Sequence, residues 1–165
     1  MLISFNEIIE KYGINPKGVV HTGANYGEDA KEYMDAGVEN VIWIESNPEK
    51  MDKLIENVSS FKNFNPFLVL NLSLSDEDNS NTKTLNSLFK DFDLSEYTFL
   101  NANIEGELKI LKGATEILHN FECLYLDVYD DKLLEIDDFL NDFNFSRVQT
   151  ESCAFGWGDA IYLKK

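Results

Sequence analysis

The residues most suited to chemistry stand where apolar runs end. Gly23 and Gly27 sit in the segment Val20-His21-Thr22-Gly23-Ala24-Asn25-Tyr26-Gly27, directly after a short apolar run. Glycines there permit a tight turn and let a ligand approach the main chain. The spacing is Gly-x-x-x-Gly, not the Gly-x-Gly-x-x-Gly suited to dinucleotide phosphates. Glu45 closes the next apolar run, 22 residues after Gly23. An acid at such a place can accept hydrogen bonds from both hydroxyls of a ribose. Taken singly, these residues also suit ordinary turn glycines and a helix-flanking acid. Their joint placement at strand carboxyl ends is what points to a ligand.

Four further segments offer polar groups after apolar runs. Leu72-Ser73-Leu74-Ser75-Asp76-Glu77-Asp78 could meet a flat ring through Ser73 and Leu74, and Glu77 and Asp78 read as solvated loop. In Leu100-Asn101-Ala102-Asn103-Ile104-Glu105-Gly106-Glu107, alternation puts Asn101 and Asn103 on one face. Asn103 equally suits a cap of the next helix. Asp127 ends another run and is followed by Tyr129, Asp130 and Asp131. In Gly156-Trp157-Gly158-Asp159, Trp157 could stack on a substrate or plug the core, and Asp159 could accept a proton.

Other chemistries lack their residues. His21 and His119 form no recognisable pair. No Cys/His metal spacing, lysine-bearing phosphate loop or nucleophile elbow occurs. Cys123 and Cys153 are expected as free thiols and no metal site is expected.

The elements that must position these residues follow from periodicity. Helices are expected over 5–12, 27–36, 51–58, 84–92, 107–120 and 132–143. Asn47-Pro48 supplies an N-cap and first-turn proline before the third. Gly113 weakens the fifth by ~1 kcal/mol relative to alanine. Strands are expected over 18–22, 40–45, 67–72, 97–102, 123–128, 146–150 and 159–163, with 73–83 a polar loop. Strand and helix alternate until two consecutive strands end the chain. That order predicts a mostly parallel sheet covered on both faces, with the last strand inserted antiparallel.

The chain has 165 residues, 44% hydrophobic, and reads as one domain with a substantial core. No apolar run approaches the ~18–20 residues of a membrane span. The start, MLISFNEIIEKYG, lacks a leader's basic and small-residue features, so a cytoplasmic location is expected. The net charge of −16 leads to the expectation of neither a nucleic-acid nor a membrane partner, and of tolerance for a cationic ligand. Oligomeric state is not set by any of these features.

In order, VVHTGANYGEDA, VIWIESNPE, LSLSDED, TLNSLF, FLNANIEG, LKGA and GWGDAIYLKK resemble the landmarks of the FkbM family of S-adenosylmethionine-dependent methyltransferases. The resemblance runs from about Gly18 to the end. It implies a Rossmann-like class I methyltransferase fold with seven strands, the last antiparallel. It also implies methyl transfer from S-adenosylmethionine to an oxygen, often a hydroxyl of a sugar or small natural product. By position, Gly23, Asn25 and Gly27 would line the methionine and ribose side, with His21, Thr22 and Ala24 in the same loop. Glu45 would hold the ribose, beside Ser46 and Asn47. Ser73 and Leu74 would lie near adenine, and Asn103 would close the cofactor side. Asp127 and Asp159 would face the acceptor as catalytic candidates, with Glu105, Tyr129 and Trp157 contacting it.

The chain departs from that pattern at Asn103, where the family usually has Asp, and at Gly106-Glu107, one residue short of Gly-Ala-Glu. The connections after Asp78 and between Asp131 and Asp138 are also short. These departures motivate an alternative, a catalytically silent S-adenosylmethionine-binding module with a regulatory or assembly role. A nicotinamide-dependent oxidoreductase is a third reading, disfavoured by the Gly-x-x-x-Gly loop.

Overall fold

A computed structural model describes residues 2–61, 63–104 and 106–165. Its frame is a seven-stranded sheet in the order β3-β2-β1-β6-β7-β9-β8. The strands are β1 (Gly18–Thr22), β2 (Asn40–Glu45), β3 (Val69–Asn71), β6 (Tyr97–Ala102), β7 (Cys123–Tyr129), β8 (Phe145–Ser152) and β9 (Trp157–Lys164). Two short strands, β4 (Ser73–Leu74) and β5 (Thr82–Lys83), pair separately. The first five strands of the sheet run parallel, and β9 enters between β7 and β8 antiparallel to both. This is the expected fold class, a Rossmann-like sheet with an antiparallel last strand.

Helices cover both faces because the strands are apolar on both. One face packs Val20, Ile42, Leu100 and Leu124 against Leu111 of α5 (Glu107–Lys112) and Ile136 of α6 (Leu133–Asn141). The other packs Val19, Trp43, Phe99 and Tyr125 against α1 (Phe5–Tyr12), α2 (Ala30–Asp35) and α3 (Met51–Val58). Helix α1 starts on Ser4, whose hydroxyl accepts from the Glu7 N–H at 3.1 Å, and stops at Gly13 with φ of 65°. Asn47 caps a 3₁₀ turn over Pro48–Lys50 that leads into α3, as the Asn-Pro step predicts.

Several boundaries differ from the periodicity. Helix α2 begins at Ala30 instead of residue 27, because Gly27 carries a positive φ of 76° that ends the preceding turn. The polar loop over 73–83 contains the β4–β5 pair, and α4 is only Leu85–Leu88. Helix α5 ends at Lys112 instead of residue 120. The chain turns at Gly113, where backbone packs against backbone: a Cβ there would stand 2.2 Å from the Ser75 carbonyl oxygen.

Among the described residues, no helix is long and apolar enough to cross a membrane.

Candidate functional site

The strand order reverses at β1, which has β2 on one side and β6 on the other. Open α/β sheets bind ligands in the crevice outside the strand carboxyl ends at such a switch point. Gly23 leaves β1 at this crevice and Ile104 follows β6. The two are held together by the Asn103 N–H, which donates to the Thr22 carbonyl at 3.0 Å. Gly23 is required by that approach. Its φ is 73°, and a Cβ would lie 2.1 Å from the Asn103 carbonyl oxygen.

A groove of about 440 Å³ opens beside Gly23. Ile44, Leu72, Leu74 and Ile104 give it apolar walls, and Ser46, Ser73 and Lys109 supply polar atoms. A concave, largely apolar site of this size with a few polar groups suits a small organic ligand with a flat ring. Four expected cofactor residues, Gly23, Ser46, Ser73 and Leu74, line it together.

Glu45 forms the shoulder between β2 and the loop after β1. Its carboxylate is buried, with one oxygen accepting from the Asn25 N–H at 2.8 Å and the other from the Asn47 N–H at 2.7 Å. The three expected residues Asn25, Glu45 and Asn47 are thereby tied together. Each carboxylate oxygen keeps a further lone pair for a hydroxyl donor. Asn25 itself has φ of 50°, a conformation that asparagine tolerates.

Other expected cofactor residues lie away from the groove. Thr22 and Ala24 are buried, and the Thr22 hydroxyl donates to the Asn101 carbonyl at 3.4 Å. Gly27 packs on α3, where its Cβ would meet Val58 Cγ1 at 2.8 Å. Asn103 is half-buried and contributes backbone to the Gly23 contact. His21 is inside the core on the opposite sheet face, between Tyr33 and Trp43 with ring centroids at 5.8 and 5.4 Å. Burial pushes its pKa down to about 3, so the imidazole is neutral and its 3.6 Å approach to Asp29 is not an ion pair.

The acceptor candidates separate by environment. Asp127 and Asp159 are direct partners across β7 and β9, as are Tyr129 and Trp157. Asp127 is half-buried, and burial followed by the charge of Asp159 raises its carboxyl pKa. Asp159 is fully buried and already engaged. Its Oδ2 accepts from the Leu2 N–H and, at 2.8 Å, from the Ile3 N–H, and lies 2.6 Å from the Tyr125 hydroxyl. That coordination docks the first residues of the chain and leaves Asp159 facing protein instead of solvent. Tyr129 is exposed and Trp157 half-buried, so both rings are reachable. Glu105 lies outside the described residues.

Ile44, Leu72, Ile104, Gly106, Lys109 and Ile110 also line the groove and carry no polar sequence signature beyond their positions after strands. Glu107 is a further buried acid near Asp127, its pKa raised mainly by burial. An acid at the first turn of a helix was its only signal.

No protein-family model matches the chain, and no curated protein matches it by sequence. Solved structures do match its fold. The ribosomal protein L11 methylase of Lactobacillus delbrueckii subsp. bulgaricus aligns with TM-score 0.63 at 17% identity, covering 95% of this chain and 74% of that one. M. capricolum TrmK, in complex with S-adenosylhomocysteine, aligns with TM-score 0.66 at 10% identity, covering 100% of this chain and 70% of that one. Streptococcus pneumoniae Sp1610, proposed to be a tRNA (m1A22) methyltransferase, aligns with TM-score 0.61 at 16% identity, covering 99% and 71%. At these identities the likeness establishes a class I methyltransferase fold. It does not distinguish the FkbM family within that fold.

One expectation is corrected by these neighbours. The acidic balance leads to the expectation of no nucleic-acid partner. Chains of the same fold include one that methylates a ribosomal protein and one proposed to act on tRNA. Net charge sums over the whole surface, whereas recognition is local, so −16 does not exclude an RNA or protein partner.

Proposed function

We propose that this chain is an S-adenosylmethionine-dependent methyltransferase, with the cofactor in the groove beside Gly23. The observation that carries this reading is a groove lined by Gly23, Ser46, Ser73 and Leu74 at the switch point of the sheet, with Glu45 at the end of β2 between two of its lining residues, Ile44 and Ser46. Apolar Leu72, Leu74 and Ile104 suit an adenine ring, Glu45 suits ribose hydroxyls, and solved structures of this fold include methyltransferases, one with S-adenosylhomocysteine bound.

When bound, the cofactor supplies a methyl group made electrophilic by its sulfonium. The protein's part is then to orient an acceptor and to take its proton. Alignment alone can lower such a barrier by ~7–11 kcal/mol. Asp127 is the better proton acceptor of the two aspartates, because it is half-buried at the end of β7 and its raised pKa strengthens it as a base. Asp159 acts as the anchor of residues 2 and 3. Tyr129 and Trp157, partners across β7 and β9, offer aromatic surface against which an acceptor can rest.

The acceptor atom is read as an oxygen, following the resemblance of the motifs, and a hydroxyl of a sugar or natural product is the finer form of that reading. The test is calorimetry with S-adenosylhomocysteine, then radiolabelled methyl transfer to a panel of glycosides, small alcohols, tRNA and ribosomal protein. Absence of S-adenosylhomocysteine binding would reject the cofactor assignment.

A second reading, a silent binding module, draws on Asn103 in place of the family's Asp and on the burial of Asp159, whose Oδ2 already accepts from two main-chain donors. Cofactor binding without turnover across the whole panel would favour it.

A further inference from the structure

We infer that the β3 edge of the sheet is the docking surface for a second copy of this chain, the two copies related by a twofold axis. The pairing requires no cofactor, so the inference stands apart from the methyltransferase reading.

The signal is a lack of charge at a surface where charge is the rule. Lys, Arg, Asp and Glu make up 27% of the chain, yet the 13 residues from Asn63 to Ser75 contain none, the longest such stretch in the sequence. Strands β1 and β6 also lack charge, but they lie buried within the sheet. The 63–75 segment does not. Its strand β3 is the last of the sheet on that side. Leu68, Val69 and Leu70 are only half-buried, and Phe67 is 85% exposed in the 3₁₀ turn that leads into β3. Charged side chains at a sheet edge ordinarily keep other strands away, and this edge has none.

The main chain of the edge is open as well. The Leu72 N–H donates to the Glu45 carbonyl at 3.2 Å. Alternation in a parallel pair then turns the Val69 carbonyl and both main-chain groups of Asn71 to the free side. Pro66 has no N–H and limits the ladder, so apolar side chains must supply most of the contact.

Charge selects the occupant. Two copies of a chain with net charge −16 repel wherever their charged surfaces meet. The uncharged segment is where they can approach without that cost. A basic partner would call for acids here and a nucleic acid for lysines or arginines, and the segment has neither. Antiparallel pairing of one edge strand with its own copy is self-complementary about a twofold, as a closed dimer requires. With Leu70 on the axis, the Asn71 N–H of each copy reaches the Val69 carbonyl of the other, and Phe67 extends the apolar contact at both ends.

The test is sedimentation equilibrium of the full chain over a range of loading concentrations, in low and in high sodium chloride. A monomer–dimer equilibrium is expected, tightened by salt because the net charge is screened while apolar contact is not. Phe67→Glu should weaken the dimer by roughly thirtyfold or more, the loss expected of an apolar anchor. Its far-ultraviolet circular dichroism should stay that of wild type, since an 85% exposed ring has little packing to lose. Phe155→Glu, at an equally exposed ring between β8 and β9, should leave the dimer intact. In amide-resolved NMR spectra, concentration-dependent shifts should centre on Phe67, Leu70 and Asn71. A wild type that is monomeric at every concentration in high salt, a dimer loosened by salt, or a dimer that survives Phe67→Glu would each overturn the inference. Shifts centred on β8, the opposite edge, would overturn it too, because the copies would then meet there.

Discussion

The Tyr125 hydroxyl lies 2.6 Å from Asp159 Oδ2, side by side on neighbouring strands and beneath residues 2 and 3. The same hydroxyl also contacts the Ile3 carbonyl oxygen, so one tyrosine touches both the carboxylate and the segment it anchors. Asp159 therefore holds two backbone N–H groups, of which that of Ile3 is buried, and stands beside one phenol.

Replacing Asp159 with alanine should destabilise the protein, because each buried donor left without an acceptor costs ~1–3 kcal/mol. For a chain of this size, ~1 kcal/mol corresponds to ~2–4 °C in melting temperature. A thermal melt of Asp159→Ala should fall by several degrees, and that of Tyr125→Phe by less, since the carboxylate keeps both main-chain donors. An unchanged melt for Asp159→Ala would deny it the anchoring role.

Asp127 should behave differently. It is half-buried near the carboxyl end of β7, so Asp127→Asn should leave the melt within about 2 °C, a surface-like effect. If it takes the acceptor's proton, turnover should drop by ~10²–10⁴-fold with S-adenosylhomocysteine affinity unchanged. Steady-state rates beside calorimetry separate those outcomes, and full turnover in Asp127→Asn would remove it from the mechanism.

The strand ends were legible because apolar runs and glycines fix them locally. Gly23, Ser73 and Leu74 follow β1 and β3 and line one groove, and Glu45 ends β2, positions that the apolar runs mark in the sequence. What escaped was decided by distant partners. The docking of Leu2 on Asp159 joins residues 157 apart, and nothing near Asp159 in the sequence announces it. His21 was grouped with the loop it precedes, yet strand alternation turns its ring to the far face, against Tyr33 and Trp43. The helix expected through Gly113 stops at Lys112, and Gly113 is where the Ser75 carbonyl approaches too closely for a Cβ, a contact between segments 38 residues apart.

His21 should leave a signature in the pH dependence of stability. Its folded pKa of about 3 lies below the ordinary 6.5, so between these values the unfolded chain binds more protons. Stability from this group is complete above pH 6.5 and is lost as pH falls towards 3, with a slope of at most ~1.4 kcal/mol per pH unit. Asp29 works in the opposite sense. Burial raises its pKa, so its contribution is present below its ordinary 3.8 and lost as pH rises through the folded value. Urea melts of wild type and His21→Gln between pH 4.5 and 7.5 should diverge, with the shallower dependence in the variant. Parallel curves would show that the imidazole takes up a proton in the folded state as readily as in the unfolded chain.

Glu45→Ala should weaken S-adenosylhomocysteine binding by ~1.5–3 kcal/mol, the worth of hydrogen bonds to a charged group, which is roughly 10–150-fold in Kd. Because Glu45 also accepts from the Asn25 and Asn47 N–H groups, the melt should fall as well. Glu45→Gln keeps a neutral acceptor and should recover part of the stability but little of the affinity. Calorimetry on both variants tests this, and wild-type affinity in Glu45→Ala would remove the carboxylate from the site.

The two loop glycines should not tolerate alanine equally. At Gly23 the left-handed backbone costs ~1–2 kcal/mol for any other residue. The added Cβ would also stand 2.1 Å from the Asn103 carbonyl oxygen and 2.3 Å from Ile104 Cγ2. A backbone carbonyl held by the β1–β6 contact cannot swing aside, so the crevice itself must open. At Gly27 the same backbone cost applies, but the Cβ meets side chains instead of backbone, Val58 Cγ1 at 2.8 Å and Leu54 Cδ1 at 3.0 Å, so the strain falls on the packing of α3 and not on the crevice. Gly23→Ala should therefore show the larger fall in melting temperature and lose S-adenosylhomocysteine binding, while Gly27→Ala stays folded and binds. Equal effects in thermal melts and calorimetry would mean that the approach of Gly23 to the loop after β6 does not set the shape of the groove.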